Sequence, residues 1–293
     1  MITLITPTVE LINKPTCETV GDINPFLIAA RTCYASKSKG PESDKNMFNK
    51  LWEHGHRSMY RHITRYFHIP CTGLRCEENR HNIMVFYEHY KHCPYISFQL
   101  GVDSYIAVNE QFYREDEELD KLLKETFNDV HELPLASIYT LAPNLCRFTF
   151  KIVTNILVAR ELNRVSPNAI AEQSTRYVNF GKNNNITMII PEWYSNKTTE
   201  EQEQVVRDLT LASEMYLERV RSGWPIEEAR YFLPLDTASV LVYTYSIPEW
   251  KNIINLRYKE LTGKAAPEAK RVISQVYFEL CKLGYGKYLD SNE

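Results

Sequence analysis

The chain has 293 residues, 44% hydrophobic and 24% charged, with a formal net charge of −3 at pH 7. This is the composition of a globular protein long enough to bury a sizeable core, and it excludes a global basic field for nucleic acid. No apolar run approaches the roughly 20 residues that span a bilayer, so no membrane partner is expected.

The opening "MITLIT" reads as a strand. Residues 24–34 and 44–56 read as helices joined by a polar loop, with Phe48, Leu51 and Trp52 on one apolar stripe of the second. Residues 63–70 alternate as a strand that Pro70 ends. Next, "ENRHNIMVFYEHY" reads as helix, "SYIAVNEQFYRE" as strand into helix, and residues 116–133 as one acidic helix with Leu119, Leu122, Leu123 and Phe127 on a face. Residues 146–153 alternate as a strand, and a helix follows over 155–164. "ITMIIP" is a short buried strand. Thr198 and Glu201 then predict a capping box, and Gly223 ends that helix. A short helix lies between Pro225 and Pro234, and the best strand covers 238–247. Ser246 and Glu249 cap the next helix, and a last one covers about 266–283. Few strands among runs of helices predict an α+β fold.

Seven cysteines are scattered with no CxxC, and the amino terminus lacks the basic start and long apolar run of a secretory signal. Free thiols in a reducing cytoplasm are the expectation. His54, His56, His62 and His68 are dense, but no HExxH or Cys/His pair at zinc spacing accompanies them, so no metal is expected. No Walker loop or GxGxxG is present.

The densest polar segment is "RELNRVSPNAIAEQSTRYVNF", residues 160–180. Arg160, Glu161 and Arg164 sit on a helix that ends before Pro167. Beyond the turn, alternation predicts a strand with Glu172, Ser174 and Arg176 on one side and Gln173, Thr175 and Tyr177 on the other. An acid, a hydroxyl and a guanidinium on one face suit a phosphorylated, hydrogen-bonding ligand, and a solvated edge strand is the plain alternative. Arg230, among apolar neighbours, must meet an anion or pair with Glu227 or Glu228. Asn252 and Arg257 are five apart, on different faces of one helix.

Together, "AARTCYAS", "GHRSMYRH", residues 148–180, "ARYFLP" and "NIINLR" resemble, in order and spacing, the flavin-dependent thymidylate synthase family. The resemblance covers roughly 1–70 and 146–283 and implies one catalytic domain over 1–293, a mixed sheet flanked by long helices, with residues 71–145 as an insertion. The family signature is Arg-His-Arg, seven residues, then Ser. Here Arg164 stands, while Val165 and Ser166 replace the His and second Arg, and Arg61 stands where Glu is usual. Ser246 and Pro248 replace a common Asn and Arg in a later flavin-contacting stretch. The resemblance implies reductive one-carbon transfer from methylenetetrahydrofolate to C5 of deoxyuridylate, with FAD as cofactor, NADPH as reductant, and active sites shared within a homotetramer. By the same resemblance Arg257 and Ser174 are catalytic, and Glu161, Arg164, Glu172, Gln173, Ser174, Thr175, Arg176, Arg230 and Arg257 bind substrate. Arg176 and Arg230 would grip phosphate, and Arg257 would face the uracil ring. His56, Ser58, Arg164, Glu172 and Asn252 would contact the cofactor. The altered signature leaves an alternative, a pyrimidine-nucleotide-binding homologue whose flavin chemistry is lost or changed.

Overall fold

The computed structural model describes residues 1–71, 76–127, 129–164 and 169–290. Val165 and Ser166, with Pro167 and Asn168, lie outside the described residues. In chain order come β1 (Ile2–Ile5), β2 (Thr8–Leu11), α1 (Asn24–Cys33), α2 (Pro41–Glu53), β3 (Thr64–Ile69) and α3 (Cys76–Tyr90). There follow β4 (Ile96–Gln99), β5 (Ser104–Asn109), α4 (Glu110–Glu115), α5 (Glu117–Thr126), β6 (His131–Leu133) and α6 (Leu135–Leu141). Next are β7 (Arg147–Asn155), α7 (Ile156–Leu162), β8 (Ile170–Glu172), β9 (Ile186–Ile189), α8 (Thr199–Arg221) and α9 (Ile226–Ala229). The chain closes with β10 (Ala238–Ser246), α10 (Ile247–Arg257), α11 (Pro267–Lys282) and α12 (Gly286–Asp290).

The fold is α+β. Among the described residues the strands form three sheets: a parallel pair β1-β9, and two four-stranded antiparallel sheets ordered β2-β7-β10-β8 and β4-β5-β3-β6. The expected single mixed sheet is therefore divided, with its parallel part confined to β1 and β9. Residues 71–145 supply three strands of the second sheet: β5 and β6 pair with β3, and β4 pairs with β5. All six residues of β5 are buried, because both faces of that sheet are covered. Phe67, Ile106 and Val108 pack on Ile83 and Phe86 of α3 and Leu119 and Leu123 of α5, while Tyr66, Tyr105 and Ala107 join the main core. A strand covered on both faces loses its polar alternation.

The main core lies between the first sheet and α10, α11 and α12. Phe148, Phe150, Leu241 and Tyr245 meet Trp250, Ile254, Val272 and Val276, and Trp250 Nε1 donates to Phe148 O at 3.1 Å. The two predicted capping boxes are present, Thr198 with Glu201 and Ser246 with Glu249.

Three expectations are corrected. The acidic helix stops at Thr126, and His131–Leu133 is a strand pairing with β3. The strand expected through residue 180 stops at Glu172. Ser174 ends it by accepting a hydrogen bond from Arg176 N at 3.2 Å, a local side-chain turn that competes with the ladder. Two of the seven thiols are not free, because Cys71 and Cys76 form a disulfide.

Candidate functional site

Asn155 ends β7 and starts α7. Its side chain accepts from Val158 N at 2.8 Å and satisfies one of the helix's unpaired amides. Ile156, Val158, Ala159 and Leu162 face the core, so Leu157, Arg160 and Arg164 point outward. Two clefts flank this helix. One, of about 520 Å³, is lined by Ile156, Arg160, Thr175, Arg230, Tyr231, Leu233 and Leu235. The other, of about 420 Å³, is lined by Leu157, Arg160, Glu161, Arg164, Arg257 and Ala266. Arg160 borders both, so four guanidiniums face adjoining clefts with one carboxylate among them.

That carboxylate is already engaged. Glu161 Oε1 lies 3.3 Å from Arg257 Nε, a half-buried pair that ties α7 to α10. Among the described residues no carboxylate pairs with Arg230. Glu227 pairs instead with Arg176, at 3.0 Å on the surface. Of the two carboxylates open to Arg230, Glu227 thus goes to a different arginine and Glu228 forms no ion pair with it among the described residues, so Arg230 stays available at the cleft wall.

Glu172 lies at the end of edge strand β8. Asn163 Nδ2 donates to it at 2.9 Å, Ser239 Oγ approaches at 3.4 Å, and Tyr243 Oη donates to Asn163 Oδ1 at 2.6 Å. Burial pushes the Glu172 carboxyl above the ordinary range, opposed by these donors and the charge of Arg160. A neutral carboxylic acid here can donate a hydrogen bond as well as accept one. Cys33, whose carbonyl accepts from Ser174 N, has its thiol raised mainly by burial, which leaves little thiolate for nucleophilic attack.

The remaining predicted residues do not all converge. Because the strand ends early, Gln173 and Thr175 do not share a side. Thr175 lines the Arg230 cleft, while Gln173 lines a third cavity of about 390 Å³ with Arg31, Lys37 and Lys151. Ser174 is half-buried and committed to its turn, and Arg176 is exposed. His56, Ser58 and Asn252 are exposed and line none of these three clefts. Arg61 turns toward the segment 71–145, with Nε donating to Gln111 at 2.7 Å and its guanidinium over the Tyr95 ring. Arg160 is the residue that site assignment from sequence missed. Its spacing four before Arg164 on one helix face was the available signal.

Residues 105–283, more than half of the chain, match the family described as thymidylate synthase complementing protein. A flavin-dependent thymidylate synthase of Thermosipho africanus (strain TCF52B) is 27% identical over 149 residues, which is 50% of this chain and 62% of that protein, less than two thirds of its length. Two crystal structures of the UMP/dUMP methylase PolB from Streptomyces cacaoi, bound with 5-Br UMP and with 5-Br dUMP, align over 96% of this chain and 92% of theirs. Their TM-score is 0.44 each, at 18% and 17% identity. Among the described residues no helix is long and apolar enough to cross a membrane. On the match over 105–283, the chain belongs to the thymidylate synthase complementing protein family.

Proposed function

We propose that the chain binds deoxyuridylate, or a related pyrimidine nucleotide, in the arginine-lined clefts beside α7 and takes part in reductive one-carbon transfer to C5 of its base. The observation that carries this is the meeting of Arg160, Arg164, Arg230 and Arg257 on adjoining cavities in a member of this family. Planar guanidiniums match a phosphate monoester bidentately, and the one carboxylate among them, Glu161, offsets only part of their charge. Arg230 and Arg160, with Arg176 at the rim, are assigned the phosphate. Arg257, oriented by Glu161, is assigned the uracil ring, where a fixed positive charge favours its negative form. Glu172, Ser174 and Thr175 are assigned the sugar and base edges, whereas Gln173 lines a different cavity.

The proposed cofactor is FAD, which supplies the reducing hydride when bound, with NADPH as reductant and methylenetetrahydrofolate as one-carbon donor. The residues assigned to it do not fit a cradle on one chain, since His56, Ser58 and Asn252 are exposed and apart from the clefts. A site shared between copies in a homotetramer is the proposed arrangement. The same scatter favours a second reading, a nucleotide-binding homologue with altered flavin chemistry.

The test is release of tritium from C5-tritiated deoxyuridylate on incubation with FAD, NADPH and methylenetetrahydrofolate. Tritium release with bleaching of a bound flavin band is the expected result. Nucleotide binding to a colourless protein without release selects the second reading, and absence of nucleotide binding overturns both.

A further inference from the structure

The second sheet carries a pair of histidines that the nucleotide site does not use. His68 on β3 and His131 on β6 are cross-strand partners, and Nδ1 of His68 lies 3.2 Å from Nε2 of His131. Each ring has an oxygen close to its far nitrogen. Nε2 of His68 is 3.2 Å from Asp103 Oδ2, obliquely, and Asp103 itself accepts from Cys71 N at 2.8 Å. Nδ1 of His131 is 3.1 Å from the carbonyl oxygen of Asp129. The carbonyl calls for N–H on the outer nitrogen of His131, and the nearby carboxylate suits the same tautomer of His68, although no hydrogen bond forms there. In those tautomers the two facing nitrogens are both acceptors, a pair that a cation between them would satisfy.

The geometry distinguishes the kind of cation. A straight N–H···N bond lines the rings up end to end and would separate their centroids by roughly 5.5 Å. The centroids are 4.8 Å apart with the planes at 86°, so the ring axes meet at an angle. A metal about 2.1 Å from both nitrogens would see them about 100° apart, given their 3.2 Å separation. The outer partners, one carboxylate and one backbone carbonyl, are those that orient metal-bound imidazoles and set their tautomers. Stacking on Tyr105 at 4.9 Å holds the His68 ring, while His131 is exposed, which leaves room for water.

We propose that His68 and His131 form a two-imidazole site for a divalent transition metal of the zinc, nickel and copper class, with water completing the coordination. Among the described residues no group of three or more His, Cys, Asp or Glu side chains could hold a metal, so the site has two protein ligands and an open side. Asp103 is a positioning residue. The bound ion clips the three-residue edge strand β6 to β3.

Zinc titrated into the full chain, followed by calorimetry and by elemental analysis after dialysis, tests this. The wild type should hold one equivalent more than His131→Gln, whose exposed side chain can be exchanged with the fold kept, as circular dichroism would check. His68→Gln should lose the same equivalent, and Asp103→Asn should weaken it by about tenfold. Zinc should raise the Tm of the wild type but not of His131→Gln. Equal zinc binding by the wild type and His131→Gln overturns the proposal and leaves a bent hydrogen bond between the rings.

Discussion

His62 is buried, with Nδ1 2.8 Å from Thr244 Oγ1 and no partner for Nε2 among the described residues. Burial first, then the charges of Arg147 and Arg61, lowers its pKa from 6.5 to about 3. The folded ring is neutral where the unfolded one takes a proton. Its contribution to stability is therefore complete above pH 6.5 and is lost as pH falls toward 3. At pH 4.5 the loss amounts to about 2–3 kcal/mol. Urea unfolding should show a lower midpoint at pH 4.5 than at pH 7, with a smaller drop in His62→Gln. Parallel pH dependence in the two proteins would contradict this. The sequence marked this histidine only as one of a crowd. Its isolation comes from β10 packing over it, a contact 182 residues away that no local pattern reports. Arg230 was legible as a cation needing an anion, but its lack of a carboxylate partner depends on Arg176 occupying Glu227 from 51 residues upstream.

The helix α7 carries four of the cleft residues, Ile156, Leu157, Arg160 and Glu161, and one side-chain cap starts it. Asn155→Ala removes the bond to Val158 N from a buried position and should cost about 1–2 kcal/mol in chemical denaturation. Nucleotide affinity should fall with it, since Arg160, Glu161 and Arg164 share the helix or its end. Gly181 meets α8 closely: a Cβ there would lie 2.5 Å from Leu217 Cδ2 and 3.2 Å from Tyr216 Cε1, both buried. Gly181→Ala should destabilise by about 1–3 kcal/mol through overpacking. An unchanged unfolding midpoint would mean that α8 shifts freely. The capping boxes of α8 and α10 were legible because a cap needs only residues three apart. The end of β8 was not, because Ser174 looks like one more step of an alternating strand until its hydroxyl takes the Arg176 amide. The Cys71–Cys76 bond was misread from the scatter of the thiols. Thiol titration of the unfolded, unreduced chain should count five, rising to seven on reduction. Seven before reduction would remove the bond.

At the scale of the molecule, the α+β class was legible from the order of strands and helices, whereas the partition into three sheets was not. Strand pairing is set by contacts between segments far apart in sequence, such as β1 with β9. The segment 71–145 illustrates the limit. It was read as an insertion, and the family match begins at Tyr105, inside it. Its strands complete the sheet of β3 and place Tyr66 and Tyr105 in the main core. If the proposed shared site is right, light scattering should give about four times the 34.3 kDa chain mass. A monomer would leave His56, Ser58 and Asn252 without the second wall that the proposed flavin site requires.

In the proposed function the arginines beside α7 hold the phosphate of a pyrimidine nucleotide. Calorimetric titration of deoxyuridylate and deoxyuridine into the wild type, Arg230→Ala and Arg160→Ala tests it most directly. Deoxyuridylate should bind the wild type at least about tenfold more tightly than deoxyuridine, and each substitution should weaken the nucleotide by about tenfold or more, near 1.4 kcal/mol. Equal affinity for nucleotide and nucleoside, or unchanged nucleotide affinity in both variants, would contradict it.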